Sequence, residues 1–302
     1  MRSFTVGAAV LLSTALNAQA LNIISSNDDG WAEINIRTFY NALTSAGHDV
    51  VISAPADNQS GTGSRDEEPS ELEDPCQFNS CPAGSPAVGF NQSEPRFNYV
   101  NSYPVTSIKH GIDTLSPKFF GGAPDLAVAG PNTGNNLGAT TAISGTVGAA
   151  TYAAHTAKIP AIAFSGVGSE TAWNESTPLY SQVYADLATN LTDTLIAAGT
   201  PYLPEDIWLN VNFAEVTEDK CSSVDQFQFV LTRIFKAFPL ITPDDVDACG
   251  ETYLPTETSV VRKGCFVTVS VGTAENKKDA DSDAQKVVLE KLGSLLTCLP
   301  KD

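Results

Sequence analysis

LNIISSNDDG, residues 21–30, starts apolar and ends on two adjacent carboxylates, Asp28 and Asp29. LNIISS reads as a short strand, whereas Asn and Asp are poor strand residues and common in turns. In residues 31–46, Ile36, Phe39, Tyr40 and Leu43 fall at i, i+3, i+4 and i+7. That spacing predicts a helix with one buried stripe, stopped at Gly47. DVVISAP, residues 49–55, reads as a second strand closed by Pro55. Strand, helix and strand at this spacing make a βαβ unit, which requires parallel neighbours.

The same rhythm continues outward. PDLAVAG (124–130), PAIAFSG (160–166), IWLNVNF (207–213) and CFVTVSVG (265–272) read as strands. Between them lie an alanine-rich helix over residues 145–158 and a long helix marked by Val183, Leu187, Leu191 and Leu195. Val288, Leu289, Leu292, Leu295 and Leu296 define a C-terminal helix. Alternating strands and helices give the α/β class, with helices on both faces of the sheet. Two segments break the rhythm. Residues 61–90 are rich in Glu, Pro and Ser and read as a loop insertion stapled by a local disulfide. Residues 214–256 are irregular apart from a candidate strand, FQFVLTRIF.

The chain has 302 residues and a formal net charge of −18, from 17 basic and 35 acidic side chains. Such a balance argues against a nucleic acid polymer or an anionic membrane as partner, because both need basic patches. An anionic substrate would need local help from a cation or from backbone dipoles. Residues 1–20 combine a basic start at Arg2, an apolar centre and the small end Ala18-Gln19-Ala20, the pattern of a signal peptide cleaved after Ala20. One domain is expected over 21–302, in a secreted, extracellular protein. Six cysteines and the sequons at Asn58, Asn91, Asn174 and Asn190 agree with that setting. Three disulfides are expected. Cys76–Cys81 spans a short loop between Pro75 and Pro82. The other four cysteines allow three pairings. Cys221–Cys249, inside the irregular segment, and Cys265–Cys298, tying the last strand to the last helix, are preferred.

In an open parallel sheet, ligands collect beyond the carboxyl ends of the strands. After the first strand come Asn27, Asp28, Asp29 and Gly30; after the second come Asp57, Asn58, Gln59, Ser60 and Gly61. After PDLAVAG comes PNTGNNLG, with Asn132, Asn135 and Asn136. Carboxylates, an amide and a hydroxyl along one rim are the ligand set of a hard divalent cation such as Mg²⁺, Mn²⁺ or Ca²⁺. ISGTVGAA, residues 143–150, would open the alanine-rich helix, so Ser144, Gly145 and Thr146 would offer N–H groups to a phosphate. Each element has a plainer reading: Asp29 and Ser144 as helix caps, DNQSG as a polar turn. Their coincidence at three strand ends favours a site. Neither a Walker pattern nor a G-x-G-x-x-G fingerprint occurs, and FSGVGS is not a nucleophile elbow.

These motifs, IISSNDDG, GHDVVISAPADNQSG, PDLAVAGPNTGNNLG and ISGTVGAA in this order, resemble the SurE family of survival-protein nucleotidases and phosphatases. LNVNF (209–213) and TETSVVRKGCFVTVS (256–270) extend the resemblance across most of residues 21–271. The leader makes the chain similar to secreted eukaryotic members, some described as acid phosphatases. The resemblance implies a Rossmann-like three-layer α/β sandwich with a mostly parallel sheet and a C-terminal extension. It implies a divalent metal, Mg²⁺ or Mn²⁺, held by Asp28, Asp29, Ser60 and Asn132. It implies hydrolysis of phosphate monoesters, often nucleoside monophosphates, with Asp28, Asp29 and Asn132 catalytic and Asn132, Ser144, Gly145 and Thr146 on the phosphate. It leaves room for a homodimer. The chain departs from the family in reading Ala129-Gly130-Pro131-Asn132 where S-G-I-N is usual, and in its longer acidic insertion. The alternative is a secreted, non-catalytic metal- or ligand-binding protein on the same fold.

Overall fold

The computed structural model describes residues 20–300. The expected leader lies, but for Ala20, outside them. Among the described residues the middle layer is a sheet of β1 (Asn22–Ser26), β2 (Asp49–Pro55), β3 (Val88–Asn91), β4 (Glu94–Val100), β5 (Leu126–Thr133), β6 (Ala161–Gly166), β7 (Ile207–Phe213), β8 (Gln228–Thr232), β9 (Phe266–Thr273) and β10 (Lys278–Asp279). Its order is β10-β9-β7-β6-β5-β1-β2-β4-β3, with β8 beside β9. The run from β4 to β7 is parallel throughout. β9 joins β7 antiparallel, and β3 folds back on β4 as a hairpin.

Helices cover both faces. α1 (Ile34–Ser45), α5 (Leu179–Ala197) and α7 (Ser282–Leu292) lie on one side; α2 (Pro104–His110) and α4 (Gly145–His155) on the other. Short α3 (Ser116–Phe120) follows α2, and α6 (Glu257–Val260) leads into β9. The α1 stripe of Ile36, Phe39, Tyr40 and Leu43 is buried in one core with Phe164, Leu187 and Leu191. Phe164 sits edge-on to Phe39 and stacks with Phe213. Truncating such an aromatic to Ala costs about 3–5 kcal/mol. On the opposite face α4 brings Ala149, Ala150 and Ala153 against Ala127, Ala129, Ala161 and Ala163 of β5 and β6. Small residues on both partners allow a close approach, which sets the helix start near the sheet rim.

All six described cysteines are paired. Cys76–Cys81 forms as expected. The other two bonds correct the expected pairing: Cys221 joins Cys265, and Cys249 joins Cys298. The reason is the path of the C-terminal tail. α7 ends at Leu292, so Leu295 and Leu296 do not continue its stripe. The tail instead returns beside β8, where Leu296 bridges Phe229 and Thr297 N–H donates to the Phe229 carbonyl. That path carries Cys298 to the 244–255 loop. Cys265, at the start of β9, lies beside the start of β8 through its carbonyl bond to Gln228 N–H, within reach of Cys221. No described helix is long and apolar enough to cross a membrane.

Candidate active site

β1 has β2 on one side and β5 on the other, so the chain reverses direction across the sheet between β1 and β5. Such a switch point opens a crevice at the carboxyl ends of the two strands. Asp28 and Asp29 follow β1, and Asn132 stands at the end of β5. The pairing of β5 with β6 slips between Ala129 and Asn132, a local irregularity beneath the end of the strand. The three sequence-predicted residues thus meet because of strand order, not chain proximity.

Both carboxylates are almost sealed, Asp28 at 2% and Asp29 at 1% exposure. Asp28 Oδ1 accepts from the Thr146 hydroxyl at 2.5 Å and Oδ2 from Gly145 N–H at 3.1 Å. Asp29 Oδ1 accepts from the Thr133 hydroxyl at 2.6 Å and Oδ2 from Thr133 N–H at 2.9 Å. Among the described residues, no Lys, Arg or His hydrogen-bonds either one. Burial pushes the Asp28 carboxyl up. Burial, reinforced by the charge of Asp28, pushes Asp29 up to about 7. Buried Glu33 adds to the load: its carboxyl is raised well above the usual range by burial and by Asp29, and its Oε1 has no hydrogen-bond partner.

The turn between the carboxylates and α1 is closed by Asn27, whose side chain accepts from Gly30 N–H at 3.2 Å and donates to the Gly30 carbonyl at 3.0 Å. Gly30 has φ +106, and Gln77 packs where a Cβ would stand. At Gly145 a Cβ would lie 2.8 Å from Asp28 Cβ. The absent side chain lets the α4 N-terminus close on the carboxylate, so the positive end of that helix dipole falls on Asp28.

Asn132 is 9% exposed, and its Nδ2 donates to the Gly134 carbonyl at 2.6 Å. Because a carbonyl must receive a donor, the amide orientation is fixed and Oδ1 is left as an acceptor. Ser60 is exposed, on a turn latched to the site where Gln59 N–H donates to the Asp28 carbonyl at 2.7 Å. No group of three His, Cys, Asp or Glu suited to a metal ion occurs among the described residues. A cation held by Asp28 and Asp29 would therefore be completed by neutral oxygens, Asn132 Oδ1 and the Ser60 hydroxyl, with water. Two buried carboxylates without a basic partner and an amide oxygen left open suit a hard divalent ion. Each carboxylate oxygen spends one lone pair on the donor named above and retains another.

Ser144 caps α4, accepting from Val147 N–H at 3.1 Å. Gly145 and Thr146 give their donors to Asp28, so the expected phosphate contacts of that helix start are in part already committed to the carboxylate. Sequence reading missed Thr133, although it directly follows Asn132. It also missed Glu33 and Glu170, the latter hydrogen-bonded by Gln77 Nε2. The insertion over 61–90 runs along this rim. Gly63 N–H donates to the Ile143 carbonyl, Asp66 pairs with Lys109 at 3.0 Å, and Gln77 N–H donates to the Ala56 carbonyl beside the Cys76–Cys81 bond.

The model of the family described as Survival protein SurE matches residues 23–237. The chain belongs to the SurE family. An acid phosphatase of Yarrowia lipolytica is 34% identical over 82% of this chain and 78% of its own length. A 5'-nucleotidase SurE of Desulfovibrio desulfuricans is 35% identical over 48% of this chain and 49% of its own length. The crystal structure of the SurE protein from Aquifex aeolicus superposes with a TM-score of 0.57 at 23% identity, covering 89% of this chain and 98% of that one, which supports the shared fold. The SurE fold thus accounts for the mostly parallel sheet with helices on both sides.

Proposed function

We propose that this chain is a divalent-metal-dependent phosphomonoesterase that hydrolyses nucleoside monophosphates, an acid phosphatase or 5'-nucleotidase in type. The observation that carries the reading is the sealed pair Asp28 and Asp29 at the sheet's switch point, held by neutral donors alone, with the open amide oxygen of Asn132 one residue before the Thr133 that binds Asp29. Family membership and relatives named as an acid phosphatase and 5'-nucleotidases support it. Nothing among them favours a non-catalytic binding protein.

Mg²⁺ or Mn²⁺ bound here would set positive charge against the phosphoryl oxygens. Asp28 and Asp29 supply the negative charge that holds it, each kept in one orientation by two donors. Asn132 would meet the phosphoryl group, with Ser144 and the α4 dipole at its side, while Gly145 and Thr146 serve it in part through the Asp28 they hold. The leader and the cysteine content support secretion, and residues 21–302 would then act as one domain.

A substrate panel tests the reading. The purified protein is assayed on nucleoside 5'- and 3'-monophosphates, sugar phosphates, polyphosphate and p-nitrophenyl phosphate, in chelator and with Mg²⁺ or Mn²⁺ restored. Metal-restored release of phosphate from monoesters is expected; no phosphatase activity with any ion refutes it.

A further inference from the structure

Two motifs of the sequence, LNVNF and TETSV, carry polar groups that the proposed chemistry does not use. β7 has a two-residue period, so Leu209, Val211 and Phe213 enter the α1–α5 core while Asn210 and Asn212 point to the opposite face. Both asparagines are fully buried, as is Glu257 at the start of α6. Buried polar groups in a central strand are costly unless satisfied, and these three are directed at one loop. Asn136 N–H donates to Asn212 Oδ1 at 2.8 Å, and Asn210 Nδ2 donates to the Asn136 carbonyl at 2.9 Å. Gly138 N–H donates to Glu257 Oε1 at 2.8 Å. Glu257 Oε2 ties the group together, accepting from Asn210 Nδ2 at 3.0 Å and the Ser270 hydroxyl at 2.9 Å. Asn136 Nδ2 donates to the Ser165 hydroxyl at 2.9 Å.

The other end of this loop reaches the site. Gly134 N–H donates to the Gly166 carbonyl at 2.7 Å, and the Gly134 carbonyl takes the Asn132 amide hydrogen. Thr133, between them, holds Asp29. A loop with glycine at both 134 and 138 has little backbone rigidity of its own. We propose that Asn210, Asn212 and Glu257 act together as positioning residues, a clamp that fixes the 132–138 loop and through it the aim of Asn132 and Thr133. The inference rests on the metal-dependent phosphatase reading for its kinetic consequence, but the clamp itself can be measured without activity.

The test uses Glu257→Ala, Glu257→Gln and Asn212→Ala in the full chain, with p-nitrophenyl phosphate and Mn²⁺ as probes. Site groups displaced by about 1 Å lose rate on the order of a hundredfold, so Glu257→Ala should lower kcat about ten- to a hundredfold, with a much smaller change in KM. Amide hydrogen exchange should accelerate at 132–138 and stay unchanged in β1 and in β5 up to Ala129. Glu257→Gln keeps an acceptor for Gly138 N–H but sets its amide nitrogen against Asn210 Nδ2, so it should recover part of the lost kcat. If Glu257→Ala does not fold, Asn212→Ala, which frees the Asn136 N–H, must give the same signature. A folded clamp variant with wild-type kcat overturns the inference, as does faster exchange spread evenly over the sheet. An inactive wild type with loop-confined exchange would instead sink the phosphatase reading and leave the clamp standing.

Discussion

The hydroxyl of Thr146 donates to Asp28 Oδ1 at 2.5 Å, joining the first turn of α4 to the end of β1 across 118 positions of sequence. Gly145 N–H occupies the other oxygen. A carboxylate held at both oxygens has one orientation, which is what a ligand to a hard cation requires.

Thr146→Val keeps the shape and removes the donor. Partners that orient a ligand are worth about 10–100-fold in metal affinity or activity. The variant should therefore need more Mn²⁺ for half-activation by about that factor, whereas Thr146→Ser should stay near wild type. Metal titrations of initial rate decide it; an unshifted Thr146→Val curve would show that Asp28 does not depend on this bond.

In the metal-free chain stability should fall as pH rises. Asp29 titrates at about 7 and Glu257 at about 8 when folded, both raised chiefly by burial, while unfolded carboxyls titrate near about 4. Between those limits the folded chain binds protons that the unfolded chain has released, so stability is greatest on the acid side and declines through pH 7–8. Thermal melts in chelator should show a lower Tm at pH 8 than at pH 5. Mn²⁺ must displace those protons, so its stabilising shift should grow with pH. A chelator Tm that rises from pH 5 to 8 would contradict the burial of these acids behind neutral donors alone.

The acidic insertion should act as an electrostatic filter. Glu67, Glu68, Glu71 and Glu73 are exposed on a strap pinned to the rim. Changing them to Gln should raise activity on nucleoside triphosphates relative to monophosphates, and the gain should fade as salt shortens the screening length to about 3 Å near 1 M. An unchanged ratio at low salt removes the filter.

The first βαβ unit and the three rim motifs were legible because strand period, helix stripe and the carboxyl-end rule each act locally. Partners of the carboxylates were not: that Thr133 serves Asp29 and Thr146 serves Asp28 follows only from β5 and α4 lying beside β1. The direction of β9 and the return of the tail along β8 are likewise set by distant packing, which is why Cys221 and Cys298 found partners other than those nearest in sequence. β4 escaped notice because Pro95 and its half-exposed first residues resemble a loop.

Asp29→Asn tests the central claim most directly. The cap of α1 is Glu33, which accepts from Asn35 N–H, and both Asp29 oxygens are held by Thr133, so Asp29 does not cap the helix as its position in sequence suggested; Asn keeps nearly its shape. A metal ligand, however, loses its anionic oxygen. The variant should fold with a Tm in chelator at pH 5, where Asp29 is protonated, close to that of the wild type, lose most phosphatase activity at limiting Mn²⁺, and regain part of it at high Mn²⁺. Full activity at limiting Mn²⁺ would show that Asp29 holds no metal, and the account of the site would fall with it.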